Sequence, residues 1–169
     1  MCCGGANGEP MVFYNPVNEV WGPAMWSYLH NFAVETSPTL FLASPPLASP
    51  PLASLVDMLA HLDILIPCIK CQFHYRALLT RVPLPTLPSF ANVQAWLYTI
   101  HNEINASTGK GAFAYTVQTE RVVIPPTVWE VLDAELQRGM NRQIKDIESY
   151  TKYIEIFKAF KDQDAAVLP

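Results

Sequence analysis

"LIPCIKCQFHYRALL", residues 65–79, sets two cysteines two residues apart directly after a proline, with a histidine three residues beyond the second. Proline is well placed at the opening of a helix, so the stretch reads as a helix from Cys68 to about Arg81. A cysteine at that position meets unpaired amide N–H groups and the positive end of the helix dipole, which favour a thiolate. Cys71 follows one turn later on the same side, so the two can close and reopen a disulfide. Cys2 and Cys3 are the other thiols of the chain. The pair can be a metal clip, a structural staple or a redox centre, and its surroundings must decide.

Bulk properties bound the choice. The chain has 169 residues, half of them apolar, which is enough for one domain with a packed core. Its formal charge of −4 argues against a general nucleic-acid binder, which needs surplus Lys and Arg to neutralise phosphates. The apolar runs around 59–67 and 93–100 are short and broken by His, Asp or Gln, so no transmembrane span is expected. The opening "MCCGGANGEPMVFYNP" lacks the basic and apolar regions of a secretory signal. A cytoplasmic, reducing location is therefore expected, where a C-x-x-C pair is more often catalytic or metal-binding than a passive staple.

Outward from the cysteines, the pattern is helical. Residues 1–16 read as a loose tail. Apolar residues from Val17 to about Val34 recur at three- and four-residue spacing, predicting a first helix. "SPPLASPPLAS", residues 44–54, repeats a Pro-rich unit and reads as a stiff loop insertion within 37–54, or as a ligand for an aromatic groove. A second helix is expected over 52–65, stopped by Pro67. Ser89 caps a long helix to about Ser107, closed by "TGKG". Pro125 and Pro126 precede a helix over 127–147, and another is expected over 149–161. "RVVI", 121–124, is the sole strand candidate. The class is all-α. Three segments follow: the tail 1–16, a catalytic-sized domain 17–124 and a helical extension 125–169.

Two further clusters stand beside the cysteines. In "WGPAMWSYLHNFA", residues 21–33, Gly22, Trp26 and His30 are spaced by four and share one helical face. A small residue, a broad indole and an imidazole on one face can receive a flat heterocycle. In "FANVQAWLYTIHNEINASTGKGAF", residues 90–113, His101, Asn102 and Asn105 fall within little more than one turn, followed by Gly109 and Lys110. Asparagines can read the edge of such a ring, and a lysine near a helix end can meet a phosphate. Each residue also has a plain reading: Trp26 as core, His30 as a buried histidine, the asparagines as helix-end caps.

In this order and spacing, Trp21-Gly22, Trp26, Leu29-His30, then Pro67-Cys68, Cys71, then His101-Asn102, Ile104-Asn105, Gly109-Lys110 resemble the Erv/ALR family of FAD-dependent sulfhydryl oxidases. The resemblance covers about residues 20–117, and the minimal size and "WGP" opening are similar to versions carried by large DNA viruses. It implies a four-helix bundle with a short fifth helix and, here, extra C-terminal helices, holding FAD non-covalently. It implies that Cys68 is the attacked, more accessible sulfur and that Cys71 faces the flavin. Electrons would pass from a protein thiol through Cys68–Cys71 and FAD to dioxygen, giving hydrogen peroxide. Gly22, Trp26, His30, Cys71, His74, His101, Asn102, Asn105, Lys110, Phe113 and Tyr115 would surround the cofactor, with Lys70 or Arg121 as further candidates for the pyrophosphate. The expected partners are a thiol-containing protein or a thioredoxin-like donor, oxygen, and a second copy of the chain, with the 125–169 extension read as a dimer surface in preference to an intramolecular clamp. Cys2 and Cys3 are candidates for an electron shuttle, since a tail of about fifteen residues spans roughly 20 Å, although a disulfide between neighbours strains the peptide. The competing reading is a non-catalytic helical protein with a structural zinc held by Cys68, Cys71, His74 and another histidine. An adaptor acting through the Pro-rich loop is a third.

Overall fold

A computed structural model describes residues 18–34, 52–114, 116, 122, 124–140 and 147–166. The Pro-rich loop up to residue 51, Cys2, Cys3, Tyr115 and Arg121 lie outside them, as does half of the strand candidate 121–124. The described elements are all helical: α1 (Asn18–Phe32), α2 (Leu52–Ala60), a 3₁₀ turn (Leu62–Ile64), α3 (Ile69–Arg81), α4 (Phe90–Ser107), α5 (Pro126–Met140) and α6 (Ile147–Ala166). α5 and α6 are the expected extra C-terminal helices, with 15 and 20 residues.

Local chemistry sets most boundaries. Ser89 is extended and its hydroxyl accepts from the Asn92 amide at 3.1 Å, which starts α4. At the other end Gly109 has φ 71°, and the Lys110 amide donates to the Asn105 carbonyl at 2.8 Å. A left-handed glycine lets the chain fold back on its own last turn, satisfying a carbonyl that the helix leaves open. Cys68 itself is the cap of α3: its backbone is extended, and its sulfur accepts from the Cys71 amide at 3.2 Å.

The second helix is shorter than its apolar pattern predicts. It ends at Ala60 and tightens into the 3₁₀ turn, where Ile64 N–H reaches His61 O and Leu65 N–H reaches Leu62 O. The reason is tertiary. The buried Tyr75 hydroxyl donates to the Leu59 carbonyl at 2.5 Å, the acceptor a continued helix would offer to residue 63. Asp63, itself buried, is held instead by the Arg76 guanidinium at 2.6 Å. Both contacts draw the turn onto α3.

The core forms between α1 and the remaining helices. Tyr28, Leu29 and Phe32 of α1 are fully buried with Leu55, Met58 and Leu59 of α2 and Leu97 and Ile100 of α4. The extension 125–169 completes this core. Tyr28 meets Trp129 edge-on at 6.1 Å and Phe160 edge-on at 5.4 Å, and Phe32 meets Phe160 at 4.9 Å and 90°. Edge-to-face rings match quadrupoles and add to area burial. Leu132, Leu136, Tyr150, Ile154 and Phe157 are buried with them. Asp57 of α2 accepts from Lys152 at 2.5 Å, and Lys161 pairs with Asp133, so α6 is tied to both α2 and α5. The expected dimer surface on this extension is therefore corrected: its apolar residues are spent inside the same chain, as a clamp on α1.

This packing predicts that Phe160→Ala lowers the stability of the whole domain by about 3–5 kcal/mol, the range for removing a fully buried phenylalanine. Urea unfolding followed by tryptophan fluorescence checks it. An unchanged midpoint would mean that α6 is an appendage and not part of the core.

Candidate functional site

The face of α1 opposite the aromatic clamp lines a cavity of about 740 Å³. From α1 come Trp21, Gly22, Trp26, Leu29 and His30. The 3₁₀ region adds Leu62 and Ile66, α3 adds Cys71 and Tyr75, and α4 adds His101, Ile104 and Asn105. The segment after α4 closes the rim with Thr108, Lys110, Gly111, Phe113 and Val122. The volume lies within the ~300–1,000 Å³ of cofactor and small-molecule sites, and the mix of aromatic walls with few polar groups is typical of them. A methyl group at Gly22 would meet nothing within 4 Å. No neighbour demands glycine there; a side chain would take up cavity space.

Four rings form one wall. Trp26 and His101 stack with centroids 3.9 Å apart and planes 5° apart, and Phe113 continues the stack over His101 at 4.4 Å and 20°. His30 lies beside them, 5.0 Å from Phe113, and its Nε2 shares a hydrogen bond with His101 Nδ1 at 3.1 Å. One imidazole donates and the other accepts, so at least the accepting ring is neutral and the two cannot both be charged in this arrangement. Burial pushes His30 down from 6.5 to about 4; burial first, then the charges of His30 and Lys110, push His101 down to about 4.

Cys68 and Cys71 are joined as a disulfide with Cα atoms 5.1 Å apart. Cys71 is half-buried and lines the cavity, whereas Cys68 is 5% exposed and does not. The expectation that Cys68 is the more accessible of the two is thus corrected. Cys68 is tucked in as the helix cap, while Cys71, one turn on, opens toward the cavity.

The structure brings together Gly22, Trp26, His30, Cys71, His101, Asn105, Lys110 and Phe113. Three expected residues stand elsewhere. His74 is exposed and off the cavity, because Tyr75, the next residue, takes the inward phase of α3. Lys70 is likewise on the outer side. Asn102 does not line the cavity; its side chain accepts from the Phe113 amide at 2.7 Å and donates to the Phe113 carbonyl at 3.2 Å. Tyr75, Asn31 and Val122 also line the cavity, and their spacing reads only as core or loop; Ile104 lines it beside Asn105 of the same motif. The zinc reading is corrected as well. Among the described residues no three His, Cys, Asp or Glu side chains come together as a metal site, and both sulfurs are committed to each other. Nor is any described helix long and apolar enough to cross a membrane.

Comparison with known proteins agrees with this geometry. A model of the Erv1/Alr family matches residues 23–123. The chain belongs to the Erv1/Alr family. Proteins named FAD-linked sulfhydryl oxidase from Kenyan, Namibian and Malawian isolates of African swine fever virus are each 28% identical over 96 residues, covering 57% of this chain and 74% of theirs. No solved structure matches the chain. The family match ends at residue 123, just before α5, so the aromatic clamp of α5 and α6 lies outside it.

The histidine pair gives a pH signature. Above pH 6.5 both rings are neutral in folded and unfolded chains, and the pair adds no pH dependence. Between 6.5 and 4 the unfolded chain takes up protons that the folded one refuses, so stability falls as pH drops through that window. The melting temperature should therefore decline from pH 7 to pH 4.5, and less steeply in a His30→Gln/His101→Gln variant. Parallel curves would assign the decline to other groups.

Proposed function

We propose that this protein is an FAD-dependent sulfhydryl oxidase that forms disulfides in protein thiols and passes the electrons to dioxygen, giving hydrogen peroxide. One observation carries the reading: the sulfur-bearing residue Cys71 of a C-x-x-C disulfide lines a cofactor-sized cavity built on Gly22, Trp26, His30 and His101. The residues fit the group. Flat aromatic walls suit a fused ring, the open side of Gly22 leaves space for one, and Lys110 at the rim offers a cation for a pyrophosphate. FAD, when bound, supplies two-electron chemistry that accepts electrons from a dithiol and delivers them to oxygen.

The chain's own part is thiol–disulfide exchange. A substrate thiolate attacks Cys68 Sγ, which has to be uncovered first because the residue is 5% exposed at rest; the Cys68–Cys71 bond breaks, and Cys71 leaves as a thiolate at the cavity wall. A second substrate thiolate attacks the mixed disulfide at the substrate sulfur. The substrate disulfide forms, Cys68 leaves as a thiolate, and the pair has gained two electrons. The Cys71 amide, which points at Cys68 Sγ from the first turn of α3, stabilises that leaving thiolate, and a lower thiol pKa speeds departure. The neutral His30–His101 pair keeps the aromatic wall uncharged above pH 6.5.

A thiol-bearing protein is the proposed electron donor, and the cytoplasm the proposed location. Self-association to a homodimer is proposed through surfaces other than the buried faces of α5 and α6.

The purified chain should be yellow with a flavin absorbance band. Cys68→Ser and Cys71→Ser should each reduce dithiothreitol-driven oxygen consumption to background while keeping the band. Turnover retained in either variant counts against the exchange, and a colourless, folded parent protein counts against the cofactor. Gly22→Leu, which fills cavity space, should fold yet purify without the band.

A further inference from the structure

Two asparagines hold the rim of the cavity by backbone atoms, Asn31 from within its lining and Asn102 from outside it. Asn102, on α4, engages both sides of one peptide neighbourhood: it accepts from the Phe113 amide at 2.7 Å and donates to the Phe113 carbonyl at 3.2 Å, with a further donation to Tyr98 O at 3.3 Å. Asn31, on α1, is 6% exposed; its Oδ1 accepts from the Val122 amide at 2.7 Å, and its Nδ2 donates to Ser27 O at 2.9 Å. The two held residues, Phe113 and Val122, both line the cavity and are 36% and 61% exposed. Apolar side chains do not stay at such exposure for their own sake, since turning inward would bury area. Here the hydrogen bonds to their backbones fix where the side chains stand.

The anchors are rigid. Asn31 follows His30 on α1, and Asn102 follows His101 on α4, so each helix contributes a ring to the wall and, at the next residue, an amide to the rim. A helix advances about 100° per residue, which turns the asparagine away from the ring's direction and toward the neighbouring segment. Resting on the oxidase reading above, we propose that Asn31 and Asn102 are positioning residues that set the mouth of the FAD cavity by clamping Val122 and Phe113. Neither asparagine exchanges electrons or protons. Asn102 acts through Phe113 and Asn31, itself in the lining, through Val122, and the clamps slow the escape of the cofactor.

The test uses the full chain loaded with FAD. Asn31→Leu and Asn102→Leu remove the polar partners and leave the Val122 or Phe113 amide unpaired; Asn31→Asp and Asn102→Asp keep the acceptor, replace the donor by an oxygen and add a charge. FAD release is followed by the rise in flavin fluorescence after dilution, and amide hydrogen exchange is followed residue by residue in the protein stripped of FAD. The expected result is release about tenfold faster in each Leu variant, as for loss of one well-made hydrogen bond, and slower release in the Asp variants than in the Leu variants. Exchange should quicken at Val122 in one variant and at Phe113 in the other, not across the core. Release at the parental rate overturns the inference, and so does faster release accompanied by uniformly faster exchange, which is the mark of general destabilisation. If a Leu variant does not fold, the Asp variants still decide, because the Val122 and Phe113 amides keep their acceptor there and must exchange more slowly than the neighbouring rim amides. A parent protein that binds no FAD sinks the oxidase reading and this inference together, whereas a parent that binds it and variants that release it unchanged sink this inference alone.

Discussion

Tyr28 and Trp26 are two residues apart on one helix, and that offset of about 200° organises the molecule. Tyr28 and Phe32 drive one side of α1 into a dry cluster of Trp129, Phe157 and Phe160. Gly22, Trp26 and His30, spaced by four, are left on the opposite side as the wall of the cavity. Neither face can rotate without exposing several rings to water, so the clamp fixes the phase of the helix to which the site is attached. α5 and α6 thus matter to the chemistry without touching it. They hold α1 from behind while α4 meets it from the front, through the stack of His101 on Trp26.

A cleft of about 740 Å³ keeps its shape only if the elements around it cannot close over it, since apolar walls gain attraction by meeting. Collapse is prevented from three directions. The helices that bound it are committed elsewhere: α1 by the aromatic clamp, α3 by Tyr75 and Arg76, α4 by Trp96, whose indole N–H donates to the Val82 carbonyl at 3.0 Å. The rim segment is tied to α4 by Asn102 and by Asn105, which donates to Gly111 O. At Gly22 the wall has no side chain to lean in. The cavity is what remains when every neighbouring contact is satisfied without filling it.

Much of this was legible in the residues, and the failures have a common cause. Local signals read true: Ser89 and the Gly109 turn bounded α4 within a residue, Pro67 and Cys68 opened α3, and the four-residue spacing of Gly22, Trp26 and His30 put them on one wall. What spacing cannot supply is the identity of the partner. The end of α2 was missed because the Tyr75 hydroxyl, sixteen residues away, takes the Leu59 carbonyl. His74 holds the motif position, but the inward phase of α3 belongs to Tyr75. The extension's apolar stripe was plain, yet an amphipathic stripe looks the same whether its partner is another chain or another helix. Asn102 looks like a ring contact from its spacing because an amide that pairs with a backbone eleven residues later leaves no pattern at all.

The two sulfurs acquire different surroundings from one fact of helix geometry. A cap residue lies outside the helix, with its backbone extended and its side chain folded back over the first turn. The residue three further on lies inside, its side chain set by helical phase. Cys68 therefore sits beside the open amides of α3, buried and hydrogen-bonded through its sulfur, while Cys71 shares the inward side with Tyr75 and lines the cavity. A C-x-x-C pair placed mid-helix would give both sulfurs ordinary helical surroundings, with no open amide for either. One placed in a loop would lose the fixed phase that aims the second sulfur. Only at a helix start does the same four-residue motif present one sulfur to amides that favour a leaving thiolate and the other to the enclosed wall. On the oxidase reading, that asymmetry gives exchange a direction, from the capped sulfur inward.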